Sequence, residues 1–333
     1  MASHRPPSTD RQPRTAPAEE TPAMSETSSE TATSLMRRLR GRATALVVTG
    51  TALVLAAPLP ATAVAGQTLA APADPVSVMK YTAKERREAL AYWTPARIKA
   101  VGKSVDLGPT GPKAKPYRGT APKTVGRLFF VNSRGADTWC TATAVKSANR
   151  SAALTAAHCV RLGSSPGNTN TTMVFVPGYN KGKKPHGTFA VRSVATPRAW
   201  ETDSTNDVAA LVVDADKNGK KLTDVVGGLP VAFNRAVGGT VSALGYSATR
   251  PQLGEELLRC VGTAKKESGM QAIPCDMTGG SSGGPWLADF DTKTGKGVLV
   301  SVNASLDALT PTKMYGEVLG TTAKKVYDKA QKS

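Results

Sequence analysis

The chain has 333 residues, 40% of them hydrophobic, and a formal net charge of +18 from 43 Lys and Arg against 25 Asp and Glu. That length buries a sizeable core in one or two domains. The positive excess does not indicate nucleic acid, because the cations are dispersed. The tight cluster Lys181-Gly182-Lys183-Lys184 sits in a Gly/Pro loop with no aromatic platform for bases, so the charge reads as a solvated basic surface.

Residues 1–65 read as a disordered tail followed by a signal peptide. Residues 1–35 are rich in Pro, Ser, Thr and Glu without apolar periodicity. Arg37-Arg38-Leu39-Arg40-Gly41-Arg42 is a positive n-region, Ala43 to Leu59 is an interrupted apolar run, and small residues then offer cleavage after Ala63 or Ala65. The run is shorter than the roughly 20 apolar residues of a membrane span, so a retained anchor is the weaker alternative. Met24 and Met36 are both usable starts. A secreted mature protein without a membrane partner is expected.

Residues 66–124 read as a pro-segment and linker, or alternatively as an arm kept by the mature protein. Tyr81 to Ala100 carries helix formers, and Asp106 to Lys123 is rich in proline, glycine and cations. From Val125 onward the pattern turns to short apolar or alternating runs. These are Val125 to Val131, Thr141 to Val145, Ala153 to Thr155, Met173 to Pro177, Phe189 to Val194, Val208 to Val213, Val241 to Tyr246 and Gly297 to Val302. One helical pattern closes the chain, with Thr321 or Thr322 as cap and Ala323, Val326, Tyr327 and Ala330 on one face. Many short strands and a terminal helix make an all-β protein. The four cysteines, Cys140, Cys159, Cys260 and Cys275, lie beyond the leader, where export favours disulfides over metal ligands; three pairings are open. No C-x-x-C or H-x-x-x-H spacing supports a metal site, and no cofactor is expected.

The chemistry concentrates in three motifs. Thr278-Gly279-Gly280-Ser281-Ser282-Gly283-Gly284-Pro285 places a serine in a glycine-walled turn, where its hydroxyl and two backbone N–H groups can face one carbonyl. Serine is a poor nucleophile unless a base takes its proton. Of the three histidines, His4 lies in the leader and His186 in a Gly/Pro loop, which leaves His158 at the end of Leu154-Thr155-Ala156-Ala157-His158-Cys159. An acid must orient that imidazole. Asp207 stands at the mouth of the apolar run Val208 to Val213, whereas Asp203, Asp214 and Asp216 look like turn acids.

In this order, His158, Asp207 and Ser282 resemble the triad of the chymotrypsin-like serine proteases, over Val125 to the C-terminus (125–333). The resemblance implies two six-stranded antiparallel β-barrels with a C-terminal helix and hydrolysis of protein or peptide substrates through an acyl-enzyme, by a monomer. It selects Ser282 over Ser281 as nucleophile and makes the N–H groups of Gly280 and Ser282 the oxyanion hole. It implies a Cys140–Cys159 disulfide beside His158 and, with it, Cys260–Cys275 bracing the approach to Ser282. Ser281 stands where the digestive enzymes have the aspartate that pairs with a new N-terminus, so that ion-pair switch is not expected; bacterial secreted glutamyl endopeptidases are the nearer type. Asp276, Ser301 and Asn303 fall at specificity-pocket positions, Asp276 as a reader of Lys or Arg or as a structural acid. The alternative function is a catalytically silent secreted binding or adhesion protein on the same scaffold.

Overall fold

A computed structural model describes residues 74–104, 106–163 and 167–333; the expected tail and signal peptide lie outside them. The first elements are β1 (Val76–Lys80), α1 (Ala83–Tyr92), α2 (Pro95–Ser104) and β2 (Lys115–Pro116). The helix-forming stretch is two helices. The first starts at a capping box, in which Thr82 Oγ1 accepts from Glu85 N–H and Glu85 Oε2 accepts from Thr82 N–H. The second starts at Pro95, where a missing N–H costs nothing. Trp93 and Ile98 are buried in the core, and Trp93 Nε1–H donates to Thr172 O at 2.6 Å. The stretch read as pro-segment and linker is thus laid against both sheets, β1 on a strand of the first and β2 on a strand of the second.

The first sheet contains β3 (Val125–Val131), β4 (Asp137–Ala144), β5 (Ala152–Thr155), β6 (Thr171–Pro177), β7 (Phe189–Pro197) and, after the short helix α3 (Arg198–Asp203), β8 (Ala209–Val213). In the order β3-β4-β5-β8-β7-β6 these close into an antiparallel six-stranded barrel, with β1 added along β7. Leu128, Phe130, Phe175, Phe189 and Leu211 fill one apolar cluster, while the alternate residue Phe129 packs on the other side with Trp93 and Tyr179. Both faces of β3 are therefore covered, which is why its sequence is mostly apolar rather than an alternation, with the one charged residue, Arg127, buried between Trp139 and Glu255.

After α4 (Leu222–Val226) come β9 (Thr240–Gly245), β10 (Leu258–Thr263), β11 (Lys265–Glu267), β12 (Met270–Pro274), β13 (Pro285–Asp291), β14 (Lys296–Leu306) and β15 (Lys313–Gly316). Their order is β11-β12-β15-β14-β13-β9-β10-β2. The expectation of two six-stranded barrels meets one closed barrel and a second, eight-stranded sheet whose ladder does not close between β10 and β12. The Cys260–Cys275 disulfide spans that seam. Helix α5 (Thr321–Ala330) returns to pack on β7 and β8 with Ala323, Val326 and Ala330 buried. Its cap is Gly320, without a side-chain bond, so neither Thr321 nor Thr322 serves as expected; Thr321 Oγ1 instead bonds Asn234 Oδ1. Among the described residues no helix is long and apolar enough to cross a membrane.

Candidate active site

Strand β5 ends at Thr155, and one 3-10 turn, Ala157–Cys159, follows. Ala157 and Cys159 point into the core and the half-buried His158 points out. The Cys140–Cys159 disulfide ties this turn to β4. Asp207 lies just before β8, whose Ala209 pairs with Thr155, so adjacent antiparallel strands deliver His158 and Asp207 to one rim. Asp207 Oδ1 accepts from the His158 N–H at 2.9 Å, and Oδ2 lies 2.7 Å from His158 Nδ1. A carboxylate there requires the proton on Nδ1, which leaves Nε2 as the acceptor. Burial pulls the imidazole pKa down, but the charge and hydrogen bond of Asp207 outweigh it and the net shift is upward.

The Gly-Ser turn has a simple pattern of satisfied and free donors. Ser281 N–H donates to Thr278 O, Gly283 N–H to Asn303 O and Gly284 N–H to Ser281 O, whereas the N–H groups of Gly280 and Ser282 have no acceptor among the described residues. Ser281 Oγ turns inward and donates to Thr278 O at 2.6 Å; the Ser282 hydroxyl has no partner among the described residues. Gly280 has φ +85, and a Cβ on it would lie 2.4 Å from Trp139 Nε1 and 2.6 Å from Tyr246 O. Trp139 donates Nε1–H to that same Tyr246 carbonyl, and its ring stacks under the Arg127 guanidinium 4.1 Å away.

Thr141 joins this turn to the histidine strand. Its N–H donates to Ser282 O, its hydroxyl to Gly280 O, and its carbonyl accepts from Thr155 Oγ1. Gly283, at φ +75, sits so close that a Cβ would be 2.0 Å from Thr155 Oγ1 and 2.7 Å from Ala156 N. The turn that carries the free donors therefore lies against the end of β5, just before the 3-10 turn that holds His158.

A family model for trypsin matches residues 118–303, more than half of the chain. The chain belongs to the trypsin family. Like other members, it is a serine-type endopeptidase acting on protein substrates. The solved structure of protease Anisep from Arthrobacter nicotinovorans is 35% identical with a TM-score of 0.59, covering 65% of this chain and 99% of that one. A thermostable serine protease from an extremophilic microorganism is 36% identical with a TM-score of 0.59, over 64% of this chain and 98% of its own. A Glu endopeptidase in complex with MPD, at 15% identity and TM-score 0.54 over 69% and 100%, shares the fold. No curated protein matches by sequence.

The three residues expected at specificity-pocket positions, Asp276, Ser301 and Asn303, all face inward. Asp276, 7% exposed, accepts the Lys113 N–H on Oδ2 and the Ala114 N–H on Oδ1. The buried Ser301 donates to Glu317 O. Asn303, 1% exposed, gives both amide protons to the carbonyls of Leu244 and Ser281, and its Oδ1 accepts from Trp286 Nε1–H. The acids set aside in the sequence have turn or surface roles: Asp216 accepts from the N–H groups of Asn218 and Lys220, and Asp214 pairs with Arg86. Cys140, His158 and Cys159 cluster closely enough to suggest a metal, but their sulfurs form the disulfide. Sequence reasoning missed Thr141, Trp139 and Glu317, whose Oε2 accepts from the Asp207 N–H at 2.9 Å. Burial, then the neighbouring Asp207 charge, push the Glu317 carboxyl up to about 7, against the pull of that hydrogen bond.

Proposed function

We propose a secreted endopeptidase that works through a Ser282–His158–Asp207 triad and an acyl-enzyme. The observation that carries this reading is the pair of N–H groups at Gly280 and Ser282 that, like the Ser282 hydroxyl beside them, have no partner among the described residues. Ser282 Oγ attacks the peptide carbonyl carbon while His158 Nε2 takes its proton. The carbonyl oxygen becomes an oxyanion between the two N–H groups. The C–N bond then breaks as Nε2 returns the proton to the leaving amine. Water repeats the sequence on the ester, freeing the acid and restoring Ser282. Asp207 holds the imidazole tautomer and balances its transient positive charge. Two disulfides and the leader read in the sequence support an extracellular site of action.

We assign Asp276, Ser301 and Asn303 to the scaffold of the pocket rather than to substrate reading, because their polar groups are bonded to the protein. A fluorophosphonate probe tests the triad. The wild-type protein is expected to label at Ser282 and Ser282→Ala to lose both label and peptidase activity. A protein that never labels, with a Ser282→Ala variant indistinguishable from it, would be the silent binding protein instead.

A further inference from the structure

We propose that residues 106–114 are a permanent strap that holds the nucleophile turn in its working shape, so the active enzyme keeps them and maturation cuts ahead of Asp106. The proposal rests on the triad reading above. The strap runs beside Ala248–Arg250. Leu107 N–H donates to Ala248 O at 2.9 Å, Arg250 N–H to Gly108 O at 2.7 Å and Thr110 N–H to Arg250 O at 2.8 Å. Ala248 N–H in turn donates to Gly279 O, the residue before the first free oxyanion donor.

A relay of hydroxyls runs in parallel. Thr110 Oγ1 lies 2.7 Å from Thr249 Oγ1, which bonds Ser247 Oγ at 3.2 Å. Ser247 Oγ accepts the Thr278 N–H and lies 3.1 Å from Thr278 Oγ1. Thr278 O receives both the N–H and the hydroxyl of Ser281. The far end of the strap fastens a second point, where the carboxylate of Asp276 takes the N–H groups of Lys113 and Ala114. Gly111 passes so near that a Cβ would lie 2.3 Å from Asp276 Oδ2.

A buried polar group such as the Asp276 carboxyl keeps its place only while its hydrogen bonds last. Without the strap, Asp276 must turn to water, and the turn that begins two residues later loses its anchor. The strap thus occupies the part that the buried N-terminal ion pair plays where residue 281 is an aspartate, using two backbone N–H groups in place of an ammonium.

The test combines the natural terminus with two variants. Fluorophosphonate-labelled enzyme is taken for intact mass and N-terminal sequencing. Its first residue is expected at or upstream of Asp106; labelled enzyme that begins after Asp106 and turns over as fast as longer forms overturns the strap. In the full chain, Gly111→Ala is expected to lower kcat by about 10²-fold, the scale of a small misplacement of catalytic groups, with KM little changed. Thr110→Val is expected to act in the same direction and Thr110→Ser to restore turnover. Should Gly111→Ala fail to fold, the comparison at Thr110 decides. Labelled wild-type protein with unaffected variants sinks the strap alone, whereas wild-type protein that never labels sinks the triad reading and the strap with it.

Discussion

Asp207 binds His158 twice, once through the backbone N–H and once through Nδ1, so one carboxylate fixes both the position and the rotation of the imidazole. The backbone bond does not depend on the protonation of the ring. It keeps the acid in place while the imidazole alternates between its neutral and charged states through the other ring nitrogen, Nε2.

The pH profile is expected to carry the mark of that pair. In the proposed triad His158 must be neutral to take the Ser282 proton, and its pKa is raised. The acid limb of kcat/KM should therefore lie above the ordinary histidine value of about 6.5. Asp207→Asn removes the upward pull and leaves burial, so the limb should move below 6.5 while kcat falls by about 10⁴-fold. An unchanged limb in the variant would contradict the coupling.

Glu317 predicts a dependence of stability on pH. Its folded pKa, about 7, lies above the ordinary glutamate value of 4.5. The stability it contributes is full below 4.5, declines as pH rises, and is lost above 7. Glu317→Gln keeps an acceptor for the Asp207 N–H but cannot ionise. Urea unfolding at pH 4 and pH 9 should show wild type losing about 3 kcal/mol more than the variant between the two.

Gly280→Ala should be a catalytic lesion. Its Cβ meets the Trp139 ring and Tyr246 O at a backbone angle that side chains avoid. The displaced N–H should cost about 10²- to 10³-fold in kcat with KM near wild type. Steady-state kinetics on a peptide amide separates the two constants; a rise in KM alone would show that the turn had served binding instead.

The substrate preference should not be for Lys or Arg. Both oxygens of Asp276 hold backbone N–H groups, which leaves no free carboxylate facing a cationic side chain. A peptide panel differing only before the scissile bond should show less than about a tenfold advantage for either cation.

The legible parts of the sequence were those in which function and local pattern coincide. His158 follows an apolar run and Asp207 precedes another, so strand pairing brings them together. The eight expected strands all occur, because each is an apolar run that a closed or covered sheet buries on its own terms. Strands β1, β2, β10, β11, β12, β13 and β15 carry no such signal. β2 has two residues, β11 is Lys-Lys-Glu, and β10 carries exposed positions at Val261 and Thr263. Such strands are set by their partners rather than by their own residues. Asn303 falls at a pocket position in the sequence, yet its side chain is held by three groups distant in sequence. Thr141 and Glu317 act entirely through contacts of that kind.

Trp139 fills the space that side chains at Gly254 and Gly280 would need, although the three positions are far apart along the chain. A side chain at either glycine is opposed twice, by the indole and by a positive φ. Among descendants of this sequence the indole and the two glycines should be inherited as a set, and a smaller residue at position 139 alone should free neither glycine, because a Cβ on Gly280 would still meet Tyr246 O.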